Sequence, residues 1–447
     1  MLDADIRTGR ALVLAASIVG VLALSPSAPT DFVTVALADP NAKPWDAAAV
    51  SISANGRYVA FASLARLSAG DQNNVSDIYV LDRQTGGVSL ETSPAGSRPG
   101  SAIAPHLNET GRFLVYEAPE DTFGMPVRMV LLRDRLSGVT RPLPRVAGAP
   151  ASSSRGGRIS ANGSRVAFSS EATTLVDGTD ANGSAEDVYM FDIAAQRYER
   201  VSLDGAGRQR AAGVSYGPAI SADGRYVAFS SSAALDEPPA TPERKSVFVN
   251  VYLRDTLRGV TVRISVADGG RPPNGPSYEA AISADGRYVA FVSEATNLVK
   301  QRDTNRAPDV YLRDTVRNVT ELVSCGVSGS QANGTSAHPS MSADGRIVVF
   351  QSDASNLVCA VRCGDTERDI NLVADIFARD REAGKTHRIS RGRAPWMEPS
   401  VGPIIDGTGA VIAFSSRHPR GATDDTDDFD LFVWTVTPLD DGGWKQR

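Results

Sequence analysis

A ten-residue segment that recurs along the chain constrains the fold more than any other feature. Two identical copies, Ile220–Phe229 and Ile282–Phe291, read Ile-Ser-Ala-Asp-Gly-Arg-Tyr-Val-Ala-Phe. Asp-Gly tolerates the positive φ angles of a two-residue type I′ turn, and the apolar residues that follow favour a β-strand. The segment therefore predicts two strands joined by a tight type I′ turn.

The segment occurs seven times, and each copy is followed by two further predicted strands. The turn glycines lie 52 to 64 residues apart, at Gly56, Gly111, Gly163, Gly224, Gly286, Gly345 and Gly409. Four-stranded repeats of this length stack radially into a β-propeller. We predict an all-β propeller of four-stranded antiparallel blades, with seven blades favoured over six. The repeats begin near residues 49, 104, 156, 217, 279, 338 and 401.

The two ends of the chain indicate how the ring closes. The seventh repeat has no convincing fourth strand after Asp430–Trp434, whereas Phe32–Leu37 reads as a spare strand before the first repeat. We predict that this N-terminal strand pairs with the last blade, which would remove an exposed sheet edge.

The N-terminus has the pattern of an export signal. Arg7 and Arg10 precede the apolar run Ala11–Leu24, which is shorter than the roughly 20 residues of a membrane-spanning helix. We expect residues 1–28 to be a signal peptide or an N-terminal anchor, and residues 29–447 to be a single propeller domain. Cleavage near Ala28 would keep the closing strand, and cleavage after Ala38 would remove it.

Charge and cysteine content limit the partners and the compartment. The formal net charge of −6, without a basic block, argues against nucleic-acid binding. In an exported protein, Cys359 and Cys363 are the expected disulfide pair, while Cys325 stands alone. We expect a monomer that contacts the membrane only through an uncleaved N-terminal segment.

The repeat resembles a known one. Ser283–Phe291 followed by Asp309–Asp314 is similar to the PD40 repeat, a WD40-like unit of the propeller in TolB and its relatives. The resemblance implies a propeller that is secreted or periplasmic and takes part in protein complexes of the cell envelope. The chain departs from the family pattern in its seven copies and in Ala284, where a Pro is typical. No catalytic residue can be transferred.

The loops between second and third strands, and the connectors between blades, should open on one face. Acidic loops there offer oxygens either to calcium or to Asx turns, at Asp303, Asn305, Asp309, Asp424, Asp427 and Asp428. The connectors place four further residues near the channel mouth, where they either line a binding pocket or are ordinary loop residues. These are His106, His338, Tyr216 and Tyr278.

These features favour a scaffold that binds a protein or peptide partner. The alternatives are a propeller enzyme that acts on glycans or peptides at the channel mouth, and a calcium-dependent surface protein. The one nucleophile-like motif, Gly213–Gly217, precedes a predicted strand rather than a helix, so we do not expect a catalytic Ser there.

Overall fold

The fold is a ring of antiparallel sheets. The computed structural model describes residues 50–92, 100–122, 125–143, 152–236, 245–267, 269–301, 303–326, 329–358, 369, 373–390, 398–417, 430–438 and 444–446. They form seven four-stranded sheets, each built from strands consecutive in the chain. Within the described residues there is no helix of any length, hence none able to span a membrane.

The strands of the first four blades are β1 (Val50–Ile52), β2 (Tyr58–Ser63), β3 (Asp77–Asp82), β4 (Gly87–Leu90), β5 (Ile103–Leu107), β6 (Phe113–Thr122), β7 (Met125–Asp134), β8 (Val139–Leu143), β9 (Ser154–Ile159), β10 (Arg165–Ser170), β11 (Asp187–Asp192), β12 (Arg197–Arg200), β13 (Ser215–Ile220), β14 (Tyr226–Ala233), β15 (Lys245–Asp255) and β16 (Val260–Arg263).

Those of the last three blades are β17 (Ser277–Ile282), β18 (Tyr288–Ser293), β19 (Asp309–Asp314), β20 (Val319–Leu322), β21 (Ser336–Met341), β22 (Ile347–Ser352), β23 (Asp375–Asp380), β24 (Lys385–Arg388), β25 (Ser400–Ile405), β26 (Val411–Ser416), β27 (Asp430–Pro438) and β28 (Trp444–Gln446). The predicted all-β architecture with seven antiparallel blades is confirmed.

The recurring segment forms the hairpin between the first and second strands of a blade. In the fifth blade the Gly286 N–H donates to the Ser283 carbonyl at 3.0 Å, and Gly286 has a φ of 75°. Asp285 does not have a positive φ, so the predicted type I′ turn is wrong. Its carboxylate instead accepts hydrogen bonds from Ser283 Oγ at 2.7 Å and from the Arg287 N–H at 2.9 Å, which holds the turn.

The other recurring residues of the segment join neighbouring strands and blades. A Cβ at Gly286 would lie 2.3 Å from Tyr226 Cδ2 of the preceding blade, so only glycine fits beneath that ring. Arg287 donates two hydrogen bonds to Asp314 of its own third strand, at 3.1 and 2.7 Å. The same pairing recurs in other blades, as Arg57–Asp82, Arg112–Asp134, Arg225–Asp255 and Arg346–Asp380.

The hydrophobic core lies between blades. Phe291 and Tyr311 of the fifth blade pack with Ala228, Val251 and Leu253 of the fourth in one buried cluster. The second and third strands are therefore covered on both faces, which explains their nearly continuous apolar sequences.

Backbone hydrogen bonds between adjacent hairpin turns close the ring at one end. The Ala284 N–H donates to the Ala343 carbonyl at 2.8 Å, and the Gly407 N–H of the last blade reaches the Ala54 carbonyl of the first at 3.0 Å. Since a proline has no N–H, it could not donate at the position of Ala284, where TolB-like repeats have Pro. We call this end the turn face and the opposite end the loop face.

The seventh blade differs from the expectation at its outer edge. Its fourth strand is β28, which pairs with Val436, Thr437 and Pro438 at the end of β27. The expectation that the C-terminal sequence supplies no fourth strand is therefore wrong. The predicted closing strand Phe32–Leu37 lies outside the described residues, as do the export signal and both cleavage positions.

Candidate functional site

A cavity follows the central channel of the ring. Its volume is about 1020 Å³, and the first strands of all seven blades line it. Each first strand contacts the first strands of both neighbours, including β25 with β1. Residues of the turn face also line the cavity, among them Ala54, Ala284 and Gly407. We call the opposite end of the cavity, on the loop face, the channel mouth.

A β-bulge interrupts the first strand of blades two to seven near this entrance. In the fourth blade two residues, Gly217 and Pro218, face one residue of β14, and Gly217 has a φ of 61°. The equivalent bulge residues of the other blades also have left-handed backbones, at Ala104, Gly156, Glu279, His338 and Gly402. Left-handed backbone suits glycine and is strained for other residues.

Two of these strained residues contact one another across the fifth and sixth blades. Glu279 Oε2 accepts a hydrogen bond from the His338 backbone N–H at 3.0 Å and lies 3.3 Å from His338 Nδ1. Both side chains are exposed to the channel mouth. Non-glycine residues that retain left-handed backbone commonly mark functional positions, so this pair breaks the repeat where a ligand would enter.

The predicted mouth tyrosines lie beside this pair on two adjacent blades. Tyr278 Oη donates to Glu294 Oε1 at 3.1 Å, and burial together with this carboxylate raises the pKa of Tyr278 to about 12. Burial, followed by the charge of Glu186, also raises the pKa of Tyr216. Both tyrosines are half-buried. They present aromatic surface with a polar tip, a combination common at binding sites.

Acidic residues surround the mouth on the side of blades two to four. A side pocket of about 640 Å³ is lined by Glu117, Glu171, Glu186, Arg155 and Tyr216, and it shares Gly156 and Gly217 with the channel. Arg155 donates two hydrogen bonds to Glu186, one of them at 2.7 Å. Glu117 Oε1 accepts the Gly156 N–H at 2.7 Å. The mouth is therefore acidic, with one of its carboxylates neutralised.

His106 lies deeper in the channel and links two blades. Its Nδ1 accepts a hydrogen bond from the Ile159 N–H at 3.3 Å, which leaves Nε2 as the protonated nitrogen. Ser51 and Ser340 stand at the equivalent position of their blades and accept the N–H groups of Leu107 and Ile405. Burial, and secondly the Arg158 charge, lower the pKa of His106 to about 3, so it is neutral at physiological pH. These contacts give His106 a structural role.

Arg158 is the channel residue that the sequence reasoning missed. It occupies the third blade at the position equivalent to His106, and it lines the channel together with His106 and Ile159. The repeat alignment could have found it, because an arginine replaces the small or neutral residue of the other copies.

The predicted calcium ligands of the fifth blade surround a glutamine amide. Gln331 Nε2 donates to Asp309 Oδ2 at 2.6 Å, to Asp303 Oδ1 at 3.0 Å and to Asn305 Oδ1 at 3.1 Å. In the third blade Gln209 makes the same contacts to Asp180, Asn182 and Asp187. Across the described ranges no group of three or more His, Cys, Asp or Glu residues is arranged to hold a metal. The cluster acts in this structure as a latch between a loop and a connector.

The remaining predicted residues are placed as follows. Asp424, Asp427, Asp428, Cys359 and Cys363 lie outside the described residues, and Cys325 is a buried free thiol. Ser215 of the nucleophile-like motif is buried in β13 and lies 2.8 Å from Ser231 Oγ.

Comparisons with known proteins identify the fold alone. No family model matches the chain, and no curated protein matches its sequence. An oligogalacturonate lyase in complex with manganese superposes with a TM-score of 0.52 at 12% identity, covering 92% of this chain and 97% of that one. The propeller domain of the trilobed protease from Pyrococcus furiosus superposes with a TM-score of 0.51 at 11% identity. The alignment covers 91% of this chain and 97% of that one.

TolB structures are also among the matches. TolB from Acinetobacter baumannii matches with a TM-score of 0.39 at 14% identity, and the alignment covers 74% of this chain and 62% of the TolB chain.

Proposed function

We propose that this protein is an exported binding scaffold that holds a protein or peptide partner at the channel mouth on the loop face. The observation that carries the proposal is the concentration of non-repeated side chains there. Glu279 and His338 line the channel and contact one another across two blades. Tyr216 lines the side pocket that shares Gly156 and Gly217 with the channel, and Tyr278 precedes Glu279 in the same strand. Elsewhere the recurring residues mainly serve the packing of the blades.

The chemistry of the mouth fits a peptide. Half-buried tyrosines supply contact area at a small cost in conformational entropy, and Tyr residues often dominate the energetics of protein interfaces. The carboxylates of Glu117, Glu279 and Glu294 favour a partner whose contacting surface is neutral or positively charged. Rigid blades keep these groups in place before the partner arrives, which lowers the cost of binding.

Site-specific photo-crosslinking tests the proposal. The photoreactive amino acid p-benzoylphenylalanine replaces Tyr278 at the mouth or, as the control, Leu257, which is 77% exposed in a turn on the opposite face. After irradiation in the producing cells, we expect a discrete adduct from the Tyr278 position and none from the Leu257 position. Equal adducts from both faces, or none from the mouth, would contradict a partner at this site.

A second function, an enzyme acting on glycans or peptides, is favoured by the Glu279–His338 contact. A carboxylate 3.3 Å from Nδ1 orients an imidazole so that Nε2 can accept a proton from a substrate. The matching oligogalacturonate lyase and trilobed protease show that enzymes use this fold. The assay measures release of product from polyuronates or fluorogenic peptides. Activity that is lost in His338→Gln but kept in the control His387→Gln would support this function.

A further inference from the structure

The middle of the channel carries one permanent positive charge. Six of the seven first strands place equivalent residues there, and only Arg158 among them is charged at neutral pH; the others are His106, Ala219, Ala281, Ser340 and Ile404. The seventh equivalent, Ser51, is buried and does not line the channel. Small or apolar residues make up much of the rest of the channel wall, including Gly156, Pro218, Ala280 and Pro339.

The guanidinium of Arg158 has no acidic partner within the part of the chain that the structure describes. Its one hydrogen bond there joins Nη1 to the Gly157 carbonyl at 3.0 Å. By contrast, Arg155 pairs with Glu186, and Arg287 pairs with Asp314. An arginine that lines a cavity and keeps most of its five N–H donors unused is prepared to bind an oxyanion.

The residues around Arg158 strengthen its interaction with a bound anion and limit the charge that this anion can carry. His106 is adjacent and neutral, and the nearest acid with an electrostatic influence, Glu117, is already engaged by the Gly156 N–H. Mostly apolar walls reduce the effective dielectric constant, so a charge pair inside the channel is stronger than one on the surface. With a single cation below an acidic mouth, the site suits a monoanion such as a carboxylate better than a phosphate dianion.

We propose that Arg158 binds the C-terminal carboxylate of a peptide chain that enters the channel from the loop face. The planar guanidinium can donate two parallel hydrogen bonds to the two carboxylate oxygens. The body of the peptide then passes Tyr216 and Tyr278, whose neighbouring carboxylates repel further negative charge. This inference rests on the proposed binding function and specifies which end of the partner is bound.

The test compares two peptides that differ only at the C-terminus. N-acetyl-tetra-alanine is titrated into the full-length protein as the free acid and as the C-terminal amide, and binding is followed by ligand-observed NMR. We expect the free acid to bind at least ten times more tightly than the amide. Equal affinities, or no binding of the acid at about 10 mM, overturn the inference.

Three variants assign the preference to Arg158. Arg158→Gln should abolish the preference for the acid without lowering the melting temperature, because no ion pair is lost, and Arg158→Lys should retain part of it. Arg317→Gln removes a 75% exposed arginine from a turn on the opposite face and should leave the preference for the acid unchanged. A preference that survives in Arg158→Gln would refute the assignment.

These outcomes separate the inference from the proposed function. If the acid and the amide bind equally, and the crosslink from position 278 persists, the mouth binds a partner but the channel does not select a C-terminus. If inorganic phosphate displaces the acid at equal concentration, the site is a general oxyanion site and the C-terminal assignment fails.

Discussion

The hydrogen bonds of Gln331 to Asp303, Asn305 and Asp309, which we call the glutamine latch, stabilise the loop of the fifth blade. Gln331 is buried, and its amide nitrogen donates to Asp303, Asn305 and Asp309, while its oxygen accepts the Thr304 N–H at 2.8 Å. Gln331→Leu keeps a side chain of similar size and removes every one of these hydrogen bonds. The carboxylate of Asp309, itself buried, then loses its shortest hydrogen bond.

The magnitude follows from the charged acceptors. A hydrogen bond to a charged group contributes roughly 1.5–3 kcal/mol, and a neutral one roughly 1 kcal/mol. Since the bonds share one amide, we expect a loss of about 3 kcal/mol in the free energy of unfolding at pH 8. With an unfolding entropy of roughly 2.1 cal/mol/K per residue over about 400 residues, this lowers the melting temperature by about 3–4 °C.

The loss should depend on pH in a defined direction. Burial raises the pKa of Asp309 to about 6 from its ordinary 3.8, and the Gln331 hydrogen bond opposes that rise. A carboxyl whose pKa is higher in the folded than in the unfolded protein stabilises the fold at low pH, and this contribution is lost as the pH rises from about 4 through about 6. Without Gln331 the pKa of Asp309 rises further. The loss in the free energy of unfolding caused by Gln331→Leu is therefore largest above pH 7 and smallest near pH 5.

Thermal unfolding followed by circular dichroism at pH 5 and pH 8 measures both effects. Gln84→Leu, a substitution at an exposed turn residue, is the control for adding an apolar side chain. If the difference in melting temperature between wild type and Gln331→Leu is the same at both pH values, the electrostatic argument is refuted. A difference no larger than that of Gln84→Leu would refute the latch itself.

Three further predictions concern other parts of the ring. Because the pKa of His106 is lowered to about 3 in the folded protein, the free energy of unfolding should decrease as the pH falls below about 6.5. His106→Ser introduces the residue found at the equivalent positions Ser51 and Ser340, and it should reduce this acid sensitivity in thermal melts at about pH 4–7. Ala104→Gly should raise the free energy of unfolding by up to about 1 kcal/mol in urea titrations, since it relieves a left-handed alanine, whereas Ala219→Gly should lower it. Calcium should not raise the melting temperature relative to EDTA if the Gln331 amide fills the cluster, and a rise would revive the predicted calcium site.

The sequence was sufficient for the architecture because the architecture is repetitive. Seven hairpin segments with apolar second and third strands can bury their surfaces only against copies of themselves, which leads to a ring. The turn type was mispredicted because Asp285 is held by side-chain hydrogen bonds with Ser283 and Arg287, which a two-residue propensity argument ignores.

The site was predicted only in part. His338 lines the channel and Tyr216 lines the side pocket beside it, but the contact between Glu279 and His338 joins residues 59 positions apart and depends on the strained bulge in each first strand. The repeat alignment contains a usable signal, since both residues occupy the same place in adjacent copies. A proline follows several of the bulge residues, at Pro105, Pro218, Pro339 and Pro403, as expected where a ladder is interrupted.

The position of the irregular residues around the ring indicates how a partner would sit. A ring of equivalent blades offers the same chemistry in every direction, so selectivity has to come from blades that differ from the rest. His106, Arg158, Tyr216, Tyr278 and His338 lie on the consecutive blades two to six. Blade seven has Gly402 and Val401 at the corresponding mouth positions, without a charged or aromatic side chain. A bound chain should therefore lie off the channel axis, against blades two to six, with its buried end directed at Arg158.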